Sequence, residues 1–204
     1  YMNIFLHGVT MGLAYVAPIG MQNLFVINSA LTNKRKRALL TALIVIFFDI
    51  TLSLACFFGI GTIMQKFKWL QMVILCVGSL IVIYIGISLL RAKTQDLEKD
   101  QPTMSIKKTI SSACVVTWFN PQAIIDGTMM LGAFHVTLAA GQETPFITGV
   151  ACASFSWFIG LTFLISLISS KFNAKVMRWI NIVCGVIIIG YGIKLFVSFV
   201  QMLL

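Results

Sequence analysis

Asp49 and Asp126 are carboxylates set inside apolar runs long enough to cross a bilayer. Carrying an ionised acid to that depth costs about 3 kcal/mol on insertion scales. An acid kept there usually faces a bundle interior or a wet cavity, where it handles a proton, an ion or a charged solute. The plainer alternative is an interhelical hydrogen bond from a protonated acid, worth about 1 kcal/mol. The first apolar run also holds Pro18, Gly20, Gln22 and Asn23, and the fourth holds Trp118, Asn120, Pro121 and Gln122 ahead of Asp126. Carboxylates suit an ammonium, or a guanidinium through a bidentate contact. Gln22, Asn23, Asn120 and Gln122 are candidate substrate contacts beside Asp49 and Asp126. Trp118 and Trp157 are candidates to pack on an aliphatic stem or a cation, with plain packing as the alternative.

The elements that must position these groups are interrupted helices. Proline removes a backbone donor and clashes with the preceding turn. Pro18 followed by Gly20 therefore predicts a break in the first run. Asn is a preferred N-cap and Pro a preferred first helical residue, so Asn120-Pro121 predicts a helix start within the fourth run. At a helical rise of about 1.5 Å per residue, Pro18, Asn120 and Asp49 all lie about 15 to 20 Å into their runs, near the bilayer midplane. A helix that starts there offers free N–H groups and about half a positive charge, which suits a carboxylate. Two such ends and two acids together fit a zwitterion with an additional cationic group.

Composition fixes the class. Of 204 residues, 59% are hydrophobic and 10% charged, where soluble domains carry about 25% charged residues. The mean hydropathy is +0.97. This predicts an all-α integral membrane protein embedded in the lipid bilayer. Six spans are expected, at about Ile4–Leu31, Leu39–Met64, Leu70–Leu90, Thr109–Leu138, Phe146–Ser169 and Val176–Leu204. The first has no basic n-region and is too long for a cleavable signal peptide. The net charge of +9 is no nucleic-acid footprint, because the basic residues sit in short loops. Lys34–Arg37, then Arg91, Lys93, Lys99, Lys107 and Lys108, then Lys171, Lys175 and Arg178 fall on one side, against Lys66 and Lys68 on the other. That bias makes the richer side cytoplasmic and puts both termini outside. Lys194, near the outer end of the sixth span, is expected to snorkel.

The one long hydrophilic segment, residues 93–108, reads as a cytoplasmic linker between three-helix repeats at 1–92 and 109–204. Three is odd, so the second repeat inserts upside down, the layout of an inverted-repeat transporter with helices 1 and 4 broken near the midplane. A weak internal echo supports it, since Gly78 and Tyr84 recur as Gly185 and Tyr191. Glycines such as Gly12, Gly86 and Gly149 allow close helix packing, within a chain or between copies in a homo-oligomer.

Other chemistries find little to build on. The five cysteines are scattered in apolar runs without a Cys-x-x-Cys pair, and read as small hydrophobes. His7 and His135 lie toward outer ends of their spans, which argues against a transition-metal site. No Ser/His/Asp set or His/Glu zinc motif sits at the midplane, so an enzyme is not expected, nor a metal or other cofactor.

Pro18-Ile19-Gly20-Met21-Gln22-Asn23-Leu24-Phe25-Val26 resembles the first-helix motif of the LysE family of L-lysine/L-arginine exporters. Thr117-Trp118-Phe119-Asn120-Pro121 with Asp126 looks like the fourth-helix motif of its arginine-exporter branch, and Ala153-Ser154-Phe155-Ser156-Trp157-Phe158-Ile159-Gly160 like the fifth. Asp49 falls where the family has an acid in its second helix. The likeness spans the chain, with Met21 standing where many relatives have Pro or Ala. The resemblance implies a secondary exporter of basic amino acids from the bacterial cytoplasm across the inner membrane, coupled to protons. Pushing a cation out against an inside-negative potential costs about 2.3 kcal/mol per charge per 100 mV, and proton entry through Asp49 or Asp126 would drive it. The wider superfamily leaves export of neutral amino acids or of metal cations as alternatives.

Overall fold

The computed structural model describes residues 2–59, 63, 66–91, 104–169 and 174–203, and all regular structure among them is helical. Most of the hydrophilic linker, residues 93–103, and Lys171 of the basic set lie outside the described residues.

The first apolar run folds as two helices, α1 (Met2–Val16) and α2 (Met21–Thr32), bent by 77°. The bend sits where Pro18 cannot continue the hydrogen-bond ladder. Gly20 is extended at the start of α2, and no side chain caps that start. The second run is one helix, α3 (Arg35–Phe57). It ends well short of the expected Met64, because Phe58 and Gly59 turn the chain and Gly59 takes a φ of 97°, which favours glycine. Helix α4 (Lys68–Arg91) follows.

The fourth run is divided. Helix α5 (Ile106–Trp118) begins inside the segment expected as linker, because the Ser105 hydroxyl accepts the Lys108 N–H at 3.3 Å and starts the helix early. It stops before Asn120. Helix α6 (Pro121–Gly127) then runs into a π-helical stretch, Thr128–Gly132, and a last turn, α7 (Ala133–Thr137). The chain closes with α8 (Glu143–Ser169) and α9 (Ala174–Leu203). Helices α3, α8 and α9 are long and apolar enough to cross a bilayer, and the bent α1–α2 pair makes a fourth such unit.

Helix α1 lies along α8, where Gly8 and Gly149 let backbones meet: a Cβ on Gly8 would strike the Phe146 carbonyl, and one on Gly149 that of Phe5. Helix α3 packs between α8 and α5, and α4 pairs with α9. The core between α2, α3, α5 and α8 is tight, with Val45, Ala42, Ala113 and Phe158 all wholly buried. The outer faces are apolar, with Phe47, Tyr84, Phe155 and Val186 exposed, as in a protein whose solvent is lipid. The chain is a multi-pass helical membrane protein.

At one end of the bundle, Arg37 donates to the Met104 carbonyl and the Thr109 hydroxyl, both at 2.7 Å. Arg35 lies over the Phe163 ring at 5.2 Å. The start of α3, the start of α5 and the later part of α8 therefore share that end, which gathers Lys34–Arg37 with Lys107 and Lys108.

Candidate substrate site

Asp49 lies midway along α3 with no exposed surface. Both carboxyl oxygens are held by uncharged donors. Oδ1 accepts from Gln22 Nε2 at 3.1 Å, and Oδ2 from the Ser154 hydroxyl at 2.6 Å. Gln22 Nε2 also donates to Thr117 Oγ1 at 3.1 Å. One acid thus gathers the start of α2, the last turn of α5 and the middle of α8. No described Lys, Arg or His forms an ion pair with it. The hydroxyls of Thr117 and Ser154 escaped assignment as site residues, although both lie inside the motifs quoted above; a hydroxyl next to a helix break is the signal that finds Thr117, while Ser154 sits within the unbroken α8 and carries no such mark.

The first break is pinned by Asn23. Its Nδ2 donates to the Val16 carbonyl at 2.9 Å and the Pro18 carbonyl at 2.8 Å, the acceptors left over where α1 stops. Its Oδ1 accepts from Trp157 Nε1 at 2.8 Å. Every polar atom of the Asn23 side chain is therefore used inside the fold. Gly20 offers no side-chain cap, so the first amides of α2 stay without one. Pro18 and Ile19 are exposed at the bend.

The second break is built by Asn120 and Pro121. Asn120 is buried, and its Oδ1 accepts the Ala123 N–H at 3.4 Å while Pro121 occupies the first helical position. This is the capped start expected from the residue types. One turn on, Gln122 Nε2 donates to Asp126 Oδ1 at 2.7 Å. Asp126 is partly exposed, unlike Asp49. The π-helical stretch begins two residues after it; such wide turns recur beside functional sites. Trp118 points elsewhere, donating to Thr51 Oγ1 at 3.3 Å and packing near Leu52, Cys56 and Ile124.

The two acids share no hydrogen bond. Tyr15, the penultimate residue of α1, reaches across to α6, where its hydroxyl donates to the Ala123 carbonyl at 3.4 Å. Gly127, next to Asp126, lets this contact close: a Cβ there would lie 2.8 Å from Cys56 Sγ and 3.3 Å from the Tyr15 ring. Tyr15 carried no signal in the sequence, since an aromatic in an apolar run reads as packing. Histidine lies apart from this region. His135 is 3.5 Å from Glu143 and packed on Phe57 and Phe58. No group of three metal-ligating side chains occurs among the described residues.

Arranged this way, the molecule has a buried acid with neutral partners, a second acid open on one side, and two interrupted helices between them. The family described as LysE type translocator matches residues 13–198. The arginine exporter proteins ArgO of Salmonella paratyphi B and Klebsiella pneumoniae are each 31% identical over 188 residues, covering 90% of this chain and 88% of theirs. The protein of the same name from Salmonella schwarzengrund is 30% identical over the same length. No solved structure matches the chain. On the extent of these matches, the chain belongs to the LysE translocator family.

Proposed function

We propose that this protein is a secondary-active exporter of basic amino acids, L-arginine and L-lysine, working as a proton antiporter in the bacterial inner membrane. The observation that carries the reading is Asp49, wholly buried in a membrane helix and held by neutral donors rather than a cation. Among the described residues no permanent counter-ion pairs with it, as suits a carboxyl that takes up and releases a proton. The similarity to arginine exporters supplies the substrate class. Asp49 and Asp126 together supply the negative charge of the site, which substrate cation and proton use in turn. Gln22 and Gln122 orient the acids, and the uncapped start of α2 offers N–H groups to the substrate carboxylate. Asn23 and Asn120 hold the breaks open, and Trp157 holds Asn23.

The architecture we propose is six spans in two inverted repeats, residues 1–92 and 109–204, with α5, α6, the π stretch and α7 together forming the fourth span. The packing supports it. The first span lies on the fifth, the fourth lies on the second, the second on the fifth and the third on the sixth. A pseudo-two-fold that exchanges spans 1 and 4, 2 and 5, and 3 and 6 leaves that set of neighbours unchanged. The clustering of Lys34–Arg37 with Lys107 and Lys108 supports a cytoplasmic linker and outside termini.

The test is efflux of labelled arginine and lysine from loaded cells, and arginine-dependent proton flux in proteoliposomes. The protein is expected to move both amino acids outward and to stop when the pH gradient is collapsed. The double variant Asp49→Asn with Asp126→Asn is expected to reach the membrane and lose gradient-driven export. Full export by that variant would make the carboxylates structural and end this mechanism.

A further inference from the structure

We infer that the two acids have separate tasks: Asp126 contacts the cationic end of the substrate and sets charge specificity, while Asp49 touches no substrate and positions Gln22. The inference rests on the reading above and divides its site. Asp49 has both oxygens engaged, at 3.1 Å by Gln22 and at 2.6 Å by Ser154. A carboxylate only accepts hydrogen bonds, so the nitrogen of the Gln22 amide must face it. That nitrogen also serves Thr117, which fixes the amide plane between α3 and α5. A guanidinium binds best through two parallel N–H···O bonds to one carboxylate edge. The edge of Asp49 is closed to such a contact, because the acid is wholly buried and each oxygen already accepts from a neighbouring helix. A guanidinium reaching it would displace Gln22 from one oxygen and strand the buried Ser154 hydroxyl at the other.

Asp126 is the opposite case. It is partly exposed, and its described hydrogen-bond partner is Gln122, four residues earlier on the same short helix. A cation that displaces Gln122 disturbs no other helix, since that side chain is itself partly exposed. The Tyr15 ring lies against Gly127, the residue after this acid, and puts an aromatic surface on that turn of the helix. Asp49 therefore shapes the site through Gln22, and Asp126 reads the charge.

Citrulline tests this, because it replaces the guanidinium of arginine with a neutral urea of nearly the same shape. Competition between arginine and citrulline is measured by calorimetry on full-length protein in lipid nanodiscs, and export in inside-out vesicles. Wild type is expected to prefer arginine at least tenfold. Asp126→Asn is expected to bring the ratio below about threefold. Asp49→Asn is expected to keep the ratio within about threefold of wild type while export slows at least tenfold. Ser154→Ala, which keeps the acid and removes one donor, serves where Asp49→Asn does not fold, and is expected to keep the ratio with slower export. Loss of the preference in Asp49→Asn or Ser154→Ala, or its retention in Asp126→Asn, overturns the division of tasks while a cationic substrate stands. A wild type that does not distinguish arginine from citrulline overturns the cationic-substrate reading and the division with it.

Discussion

The Tyr15 hydroxyl donates to the Ala123 carbonyl at 3.4 Å and so joins the last turn of the helix before the first break to the helix after the second. The link is long, so its direct energy is small, about 0.5 kcal/mol for a weak neutral hydrogen bond. Its weight lies in position, since it ties the two interrupted helices together beside Gly127. Tyr15→Phe keeps the ring against Gly127 and removes only the hydroxyl. It is expected to leave thermal stability within a few degrees of wild type and to slow export several-fold. A denaturation curve in detergent beside an efflux assay separates the two effects; unchanged export would show that the hydroxyl plays no part.

Asn23 is a test of the first break. Asn23→Ala leaves the Val16 and Pro18 carbonyls without their donor, at about 1 to 3 kcal/mol for the buried Val16 carbonyl. Asn23→Asp is worse, because an oxygen then faces two carbonyl oxygens. Yield and melting temperature are expected to fall in the order wild type, Ala, Asp. Trp157→Phe should resemble the milder of the two, since it unpairs Asn23 Oδ1 alone. An Asp variant as stable as wild type would mean that the break does not depend on this side chain.

Asn120 caps the second break. Its loss should cost about 1 kcal/mol of local stability, typical of an N-cap changed to Ala. Asn120→Ala is expected to impair transport more than membrane yield, and Asn120→Ser to recover much of the rate. Pro121→Ala, which permits a more continuous helix, is expected to slow export as well. Normal export rate and affinity in both Ala variants would remove this break from the mechanism.

Gly127 and Cys56 form a steric pair. A Cβ at 127 would sit 2.8 Å from the Cys56 sulfur and 3.1 Å from its Cβ. Gly127→Ala is expected to reduce activity, and Cys56→Ala in the same chain to restore part of it by removing the nearer atom. The coupling is read by comparing both single variants with the double. Purely additive losses would place the Gly127 requirement elsewhere.

Topology has its own check. Leu97→Cys, in a background without other cysteines, is expected to resist an impermeant thiol reagent applied to intact cells and to react once the membrane is opened. Labelling from outside would invert the orientation drawn from the basic loops.

The sequence alone determined the class, the breaks and the candidate acids, because each rests on a local rule. Apolar runs need lipid, Pro18 cannot continue a helix, and Asn120-Pro121 is a helix start wherever it occurs. The family was legible in the same short motifs. What tertiary structure decided is which groups meet. Gln22, Thr117 and Ser154 come from different helices, and nothing in their spacing shows that all three converge around Asp49. Asn23, a substrate contact by residue type alone, turned out to have its amide committed to the carbonyls of the break. Asp49 and Asp126 are alike as sequence. They differ in the fold because one is enclosed by donors from its neighbours and the other is not, and a hydrogen bond between distant residues has no periodicity along the chain by which to be read.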